Sequence, residues 1–231
     1  MNVIESPSPN FDERGREIDT IILHYTGMKT GAEALARLCD PKARVSAHYF
    51  VEEDGAIYRL VEERCRAWHA GVSSWRGEGD MNARSIGIEI VNPGHEWGYR
   101  DFPPAQIDAV IALLADIVAR REIAPPRVLA HSDIAPARKE DPGEKFPWGR
   151  LAEAGLALAP YRGPPDPGVP YEAALAALRA IGYEVFDAAP GVAAPAAAAL
   201  AFQRRFCPRA LGQGFDPLTK AALIAVERAA R

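Results

Sequence analysis

Two short apolar runs, "TIILHYT" at residues 20–26 and "RVLAHSD" at residues 127–133, constrain the fold more than any other part of the sequence. Aliphatic residues fill both runs, and the first is rich in β-branched residues, so each predicts a short strand buried in a sheet. Each run reaches a histidine as its apolar part ends, His24 in the first and His131 in the second. If the two strands are neighbours, both imidazoles emerge at the same edge of the sheet.

The rest of the first 160 residues alternates between strand and helix patterns. Four segments carry them: a helix at 31–40, two strands joined by an Asp-Gly turn at 45–61, a strand at 84–92 and an amphipathic helix at 103–122. Strands and helices mixed in this way predict one sheet with helices packed on it, of the α/β or α+β class.

The composition changes after residue 160. The stretch "APYRGPPDPGVP" is rich in proline and glycine and predicts a linker, placed at 161–169. Three alanine-rich helical segments follow within 170–231, and larger residues such as Leu178, Phe202 and Leu223 can supply a core. We therefore predict a main domain over 1–160 and a small three-helix bundle over 170–231 rather than a low-complexity tail.

Charge and cysteine content exclude several classes of function. The chain of 231 residues has a formal net charge of -4, which gives no electrostatic basis for binding nucleic acid. Its 3 cysteines lack metal-site spacing and predict free thiols.

No run is long and apolar enough for a membrane span, and the N-terminus does not resemble a signal peptide. We expect a monomer in the cytoplasm; the periplasm or cell envelope is the alternative if a signal was removed.

The histidines at the predicted sheet edge suggest a metal site. Asp141 follows His131 by ten residues, on a segment stiffened by prolines, so it can fold back to meet His24 and His131. Two imidazoles, one carboxylate and an open position are the requirements of a catalytic zinc site. The alternative is that Asp141 caps a local turn and that both histidines are satisfied within the core.

Two further side chains are candidates for catalysis. In "SIGIEIV", the alternating isoleucines point to the core, so Glu89 faces solvent or a cleft and can act as a general base. Lys139 lies two residues before Asp141 and can stabilise an oxyanion. The alternatives are a solvated strand carboxylate and a solvated surface lysine.

Five ordered motifs resemble one family of enzymes. These are "IILHYT", "VSAHYFV", "AWHAGVSSWRG", "MNARSIGIEIVN" and "AHSDIAPARKEDPG". Their order over residues 18–160 is similar to that of the zinc-dependent N-acetylmuramoyl-L-alanine amidases of the AmpD and AmiD group. The resemblance implies an α/β fold with a mixed central sheet flanked by helices. It also implies hydrolysis of the amide between N-acetylmuramic (or anhydro-muramic) acid and L-alanine in peptidoglycan or muropeptide fragments.

The resemblance also assigns roles to residues of this chain. It places one zinc ion per chain on His24, His131 and Asp141, the catalytic glutamate at Glu89 and the oxyanion-stabilising lysine at Lys139.

Three more residues are predicted to contact substrate, namely Trp68, His69 and Asn82. For the "WHAG" residues the alternative is a structural turn, and for Asn82 it is a turn-forming role before a strand.

Two other functions compete with the amidase. A muropeptide recognition module without catalysis is the first, and an endopeptidase on the same scaffold is the second.

Residues "ALAFQRRFCP" and "GQGFDPLTKAAL" resemble a three-helix peptidoglycan-binding domain. The alternative for this C-terminal region is a stabilising helical appendage that binds no ligand.

Overall fold

The computed structural model describes residues 2–185 and 195–231. Residues 186–194, which the sequence places in the C-terminal bundle, lie outside the described residues.

The strands of the described residues are short. In chain order they are Val3–Glu5 (β1), Phe11–Glu13 (β2), Thr20–Tyr25 (β3), Tyr49–Val51 (β4), Ile57–Arg59 (β5), Cys65–Ala67 (β6), Ser74–Trp75 (β7), Glu78–Gly79 (β8), Ser85–Ile90 (β9) and Val128–Ala130 (β10).

The α-helices range from single turns to five turns. They are Gly31–Cys39 (α1), Met81–Arg84 (α2), Pro104–Arg121 (α3), His131–Ile134 (α4), Trp148–Glu153 (α5), Tyr171–Ile181 (α6), Pro195–Phe206 (α7) and Pro217–Ala229 (α8). Two short 3-10 helices occupy Pro125–Arg127 and Pro208–Ala210.

Six strands form the central sheet, in the order β1-β5-β4-β9-β3-β10. Every pair is parallel except β4 and β5, which form the predicted hairpin around Asp54-Gly55. The prediction of a mixed sheet flanked by helices is therefore confirmed. Strand β3 pairs with β10 in a register that places Ala130 opposite Leu23. The next residues along the two strands, His24 and His131, therefore reach the same edge of the sheet.

The two faces of the sheet are covered by different helices. One face carries Ile21 and Ile88 and packs against the long helix α3, which contributes Val110 and Leu114. The prediction that the isoleucines of β9 point to the core is confirmed, because Ile86, Ile88 and Ile90 are fully buried.

The other face of the sheet packs against the C-terminal helices. Ile22 and Leu129 share a hydrophobic cluster with Leu178, Phe202 and Leu223. Burying one such side chain contributes roughly 1.5–3 kcal/mol, so this cluster ties the bundle firmly to the sheet.

The segment between the two regions follows the bundle surface. The backbone N–H of Tyr161 donates to the Phe206 carbonyl at 2.7 Å, and the backbone N–H of Asp166 donates to the Pro217 carbonyl at 3.1 Å. Residues 161–169 are therefore held by main-chain hydrogen bonds to α7 and α8. In residues 2–185 and 195–231, the helices include no membrane-spanning candidate of sufficient length and hydropathy.

Candidate active site

Two histidines and one aspartate converge at the edge of the sheet. His24 occupies the next-to-last position of β3, His131 is the first residue of α4, and Asp141 lies on the loop that follows α4. The two Nδ1 atoms are 2.8 Å apart, and Asp141 Oδ2 lies 3.1 Å from His24 Nδ1 and 3.0 Å from His131 Nδ1. The Ser132 N–H also donates to the Asp141 carbonyl at 3.0 Å, which fixes the loop against α4. These three side chains can hold a metal ion between them.

Burial and mutual charge set the protonation of this cluster. Burial, together with the neighbouring His131, lowers the pKa of His24 to about 4. Burial alone would raise the pKa of Asp141, but the adjacent imidazoles of His131 and His24 hold that pKa well below its usual range. A neutral His24 beside an ionised Asp141 is the state in which these side chains bind a cation.

The outer nitrogen of each histidine is held by the turn at residues 69–70. His24 Nε2 lies 3.0 Å from His69 Nδ1, and His131 Nε2 lies 3.1 Å from the Ala70 carbonyl. Since a carbonyl oxygen only accepts, His131 Nε2 carries the hydrogen, and in the neutral ring Nδ1 presents its lone pair to the centre. Partners of this kind fix the tautomer and the orientation of metal-binding histidines.

The side chain of Asn82 fixes that turn by hydrogen bonds to its backbone. Its Oδ1 accepts the backbone N–H groups of His69 at 3.0 Å and Ala70 at 2.7 Å. The structure thus places Asn82 under the turn, whereas Trp68 and His69 line the cleft. Contact of Asn82 with substrate stays a prediction, as it does for Trp68 and His69.

Because Gly87 has no side chain, the imidazole of His69 can lie directly against its Cα. A Cβ added to Gly87 would lie 2.4 Å from His69 Cγ. We expect Gly87→Ala to displace the imidazole from His24 and to weaken metal binding about 10-fold, the lower end of the range for loss of an outer partner. Chelator competition on the folded variant measures this effect. Gly79→Ala is the matched control, because its Cβ would come no closer than 3.9 Å to Ser73 O; equal affinities in the two variants would contradict the prediction.

Glu89 lies opposite His24 across the β3–β9 pair. Its Oε2 atom is buried and has no hydrogen-bond partner among the described residues. Burial, reinforced by the charge of Asp141, raises the pKa of Glu89 to about 8, while Lys139 opposes the shift. A carboxyl group with a pKa near neutrality can exchange a proton with a reacting molecule, and a cation held by the adjacent cluster would lower that pKa and favour the carboxylate that accepts a proton.

A cleft of about 360 Å³ opens over the cluster. It is lined by both histidines and Asp141 and also by Glu89, Lys139 and Trp68. The structure therefore brings together all five residues that the sequence predicted as ligands or catalytic groups, and Asn82 alone of the eight predicted site residues lies outside the lining. The cleft wall is formed by α1 and by the segment at residues 45–46.

Sequence reasoning missed the outer contacts of the two histidines. The Ala70 carbonyl has no side-chain signature, so no sequence pattern could reveal its role. The glycine in "SIGIEI" was the one available signal, since a small residue in a buried strand often marks a close approach by another group.

A family model and curated relatives match this chain. The model described as N-acetylmuramoyl-L-alanine amidase matches residues 14–144. The N-acetylmuramoyl-L-alanine amidase AmiD of Escherichia coli is 43% identical over 155 residues, which cover 62% of this chain and 55% of that protein. The match thus spans about half the length of AmiD. The 1,6-anhydro-N-acetylmuramyl-L-alanine amidase AmpD of Escherichia coli is 43% identical over 164 residues, covering 63% of this chain and 87% of that protein.

A solved structure extends the likeness to the C-terminal helices. It is a complex of AmiD from Escherichia coli with the substrate anhydro-N-acetylmuramic acid-L-Ala-D-gamma-Glu-L-Lys. The two structures superpose with a TM-score of 0.81 at 35% identity, and the match covers 97% of this chain and 93% of that chain. The similarity therefore includes the catalytic cleft and the helical bundle.

Proposed function

Because the chain belongs to the N-acetylmuramoyl-L-alanine amidase family, we propose that it hydrolyses the amide between N-acetylmuramic or anhydro-muramic acid and L-alanine of the stem peptide, in peptidoglycan turnover or recycling. The observation that carries the proposal is one cleft that contains three side chains able to hold a metal ion, a Glu89 carboxyl whose buried Oε2 has no hydrogen-bond partner among the described residues, and the cation of Lys139. These are the groups that hydrolysis of an unactivated amide requires.

Zinc is the metal that best fits this centre. Two imidazole nitrogens and one carboxylate oxygen form a borderline donor set of the kind that catalytic zinc sites use, and all three residues line the cleft. His24, His131 and Asp141 would hold one ion per chain. When bound, zinc supplies a Lewis acid that polarises the scissile carbonyl and makes water a stronger acid.

The residues of the cleft perform the remaining chemistry. Glu89 accepts a proton from water on Oε2, which has no hydrogen-bond partner in residues 2–185 and 195–231, as the water oxygen bonds to the lactyl carbonyl carbon. The Lys139 ammonium stabilises the negative charge that develops on the carbonyl oxygen. When the C–N bond breaks, Glu89 returns the proton to the leaving amine of L-alanine. His69 and Ala70 keep both imidazoles oriented throughout.

The charge of the cleft wall supports an acidic stem peptide as substrate. Arg37 of α1, Trp68 and Lys139 all line the cleft. The ligand in the AmiD complex carries a D-gamma-Glu residue. Cations at the wall can pair with the carboxylates of such a peptide, while the indole provides an apolar surface for sugar or peptide.

Product analysis tests the proposed reaction. The zinc-loaded protein is incubated with a muropeptide that ends in anhydro-muramic acid and, separately, with one that ends in ordinary muramic acid. Release of a peptide with a free L-alanine N-terminus supports the proposal, and the faster of the two reactions identifies the preferred sugar. Cleavage within the peptide would indicate an endopeptidase, and binding without cleavage would indicate a recognition module; either result overturns the proposal.

For the C-terminal bundle of residues 170–231 we propose peptidoglycan binding. Tyr171 is 44% exposed and packs edge-to-face on Phe215 at 4.9 Å, which offers an aromatic surface of the kind that sugars contact. We expect Tyr171→Ala to reduce co-sedimentation of the full chain with insoluble peptidoglycan, while Tyr58→Ala, outside the bundle, leaves it unchanged. Equal sedimentation of both variants would favour a stabilising appendage.

Cytoplasmic location and a monomeric state stay predictions. Fractionation of cells that express the native gene tests the first, and light scattering of the purified protein tests the second.

A further inference from the structure

The carboxylate of Asp133 joins the metal centre to the C-terminal helices. Asp133 lies two residues after His131 and is 1% exposed. Its Oδ2 accepts the backbone N–H of Ala130 at 2.9 Å, and its Oδ1 accepts the hydroxyl of Tyr183 at 2.5 Å. An ion pair with Arg205 completes its contacts. Two of the three partners therefore come from the C-terminal region rather than from the main domain.

Arg205 contacts residues both before and after His131 in the chain. One terminal nitrogen of its guanidinium pairs with Asp133, and the other donates to the Val128 carbonyl at 2.7 Å. The guanidinium also lies 4.2 Å from the centroid of the Trp148 ring, and Arg205 is 2% exposed. A planar fork with several donors makes such paired contacts, whereas a lysine ammonium cannot reproduce them. Arg205 thus links the first residue of β10 to the first turn of α4, and His131 lies between these two points in the chain.

The preceding residue reaches the second ligand segment. Arg204 donates to Glu140 Oε2 at 3.2 Å, and Glu140 directly precedes Asp141 in the chain. This pair is more exposed, since the side chain of Glu140 is 42% accessible, so its contribution is smaller. Two consecutive arginines of α7 therefore contact the segments that carry His131 and Asp141.

We infer that α7 positions the metal ligands: Arg205, acting through Asp133, holds His131 in its ligating geometry, and Arg204 supports the loop of Asp141. The inference rests on the proposed zinc centre. Buried partners behind a ligand lower the cost of organising the site when the metal binds. Arg204 and Arg205 are then positioning residues for the metal centre, whether or not the C-terminal helices also bind glycan.

Zinc affinity separates positioning from simple stabilisation. Zinc dissociation constants are measured on folded metal-free protein by competition with a chromophoric chelator, well below the unfolding temperature. We expect Arg205→Met to weaken zinc binding by about 10-fold, the lower end of the range for loss of a direct partner of a ligand, because Arg205 acts through Asp133 and the main chain rather than on the imidazole itself. Tyr183→Phe keeps the shape of the side chain and removes one hydrogen bond to Asp133, so it should cause a smaller loss and serves if Arg205→Met does not fold. Arg205→Lys should not restore the wild-type affinity, because it lacks the fork.

Leu223→Ala is the matched control. Leu223 lies on α8 and is fully buried in the hydrophobic cluster that joins the C-terminal helices to the sheet. Its truncation therefore lowers the Tm without changing the contacts of Asp133. The inference predicts wild-type zinc affinity for this variant despite its lower Tm. It is overturned if Tyr183→Phe and the arginine variants bind zinc as tightly as wild type, or if Leu223→Ala loses as much affinity as they do. Failure of the wild-type protein to bind zinc would instead reject the proposed function.

Discussion

Replacement of Glu89 by glutamine is expected to lower kcat for muropeptide hydrolysis by about 10²–10⁴-fold, the contribution of a well-placed general acid–base. Glutamine has nearly the same shape but cannot accept a proton from water and pass it to the leaving amine. The buried Oε2 of Glu89 has no hydrogen-bond partner among the described residues, so the amide should be accommodated without the loss of a native hydrogen bond. The effect should therefore fall on turnover rather than on folding.

Two measurements distinguish loss of the base from loss of the site. Metal analysis should show wild-type zinc content in Glu89→Gln, because the three metal-binding donor atoms belong to other residues. The KM for muropeptide should change little, since the wall that binds substrate is intact. Glu172→Gln, an exposed carboxylate on α6, is the matched control and should keep wild-type kcat. Near-normal activity of Glu89→Gln would show that another group moves the proton.

The convergence of His24 and His131 could be predicted because local patterns determined it. The apolar character of β3 and β10 marked both as buried strands, and a histidine followed the aliphatic residues of each run. The alternation of isoleucines in β9 placed Glu89 on the face opposite the core. The sequence alone did not determine whether β3 and β10 are neighbours in the sheet, and the structure shows that they pair. One neighbouring pair of parallel strands was enough to bring the ligands together.

The supporting contacts could not be predicted because they join distant parts of the chain. Arg205 meets Asp133 across 72 residues, and His69 meets His24 across 45 residues. No periodicity or spacing encodes a hydrogen bond between such segments; it depends on how the bundle docks on the sheet. His131 also differs from its predicted place, since β10 ends at Ala130 and His131 begins α4. Asp133 can therefore accept the Ala130 N–H from the first helical turn, which an extended strand would not allow.

Substitution of Asp141 by asparagine is expected to have the largest effect on the metal. The carboxylate would be the one anionic ligand among the three proposed, and it stays ionised because His131 and His24 hold its pKa well below the usual range. An asparagine amide is neutral, and its NH2 group would compete with the metal for the lone pairs of the two nearby Nδ1 atoms. The loss should therefore exceed the roughly 100-fold upper range that follows removal of a partner behind a ligand.

The outcome of Asp141→Asn can be assigned to the ligand rather than to the loop. The main-chain carbonyl of residue 141 still accepts the Ser132 N–H, so the loop keeps its anchor to α4. Chelator competition should show zinc affinity lower by more than about 100-fold, and activity should return in part only at high zinc concentration. Asp108→Asn, at an exposed position on α3, removes the same charge from the protein and should leave both quantities unchanged. If Asp141→Asn binds zinc within a few-fold of wild type, the metal is held elsewhere, because a centre built on two neutral imidazoles alone lacks the charge to retain it.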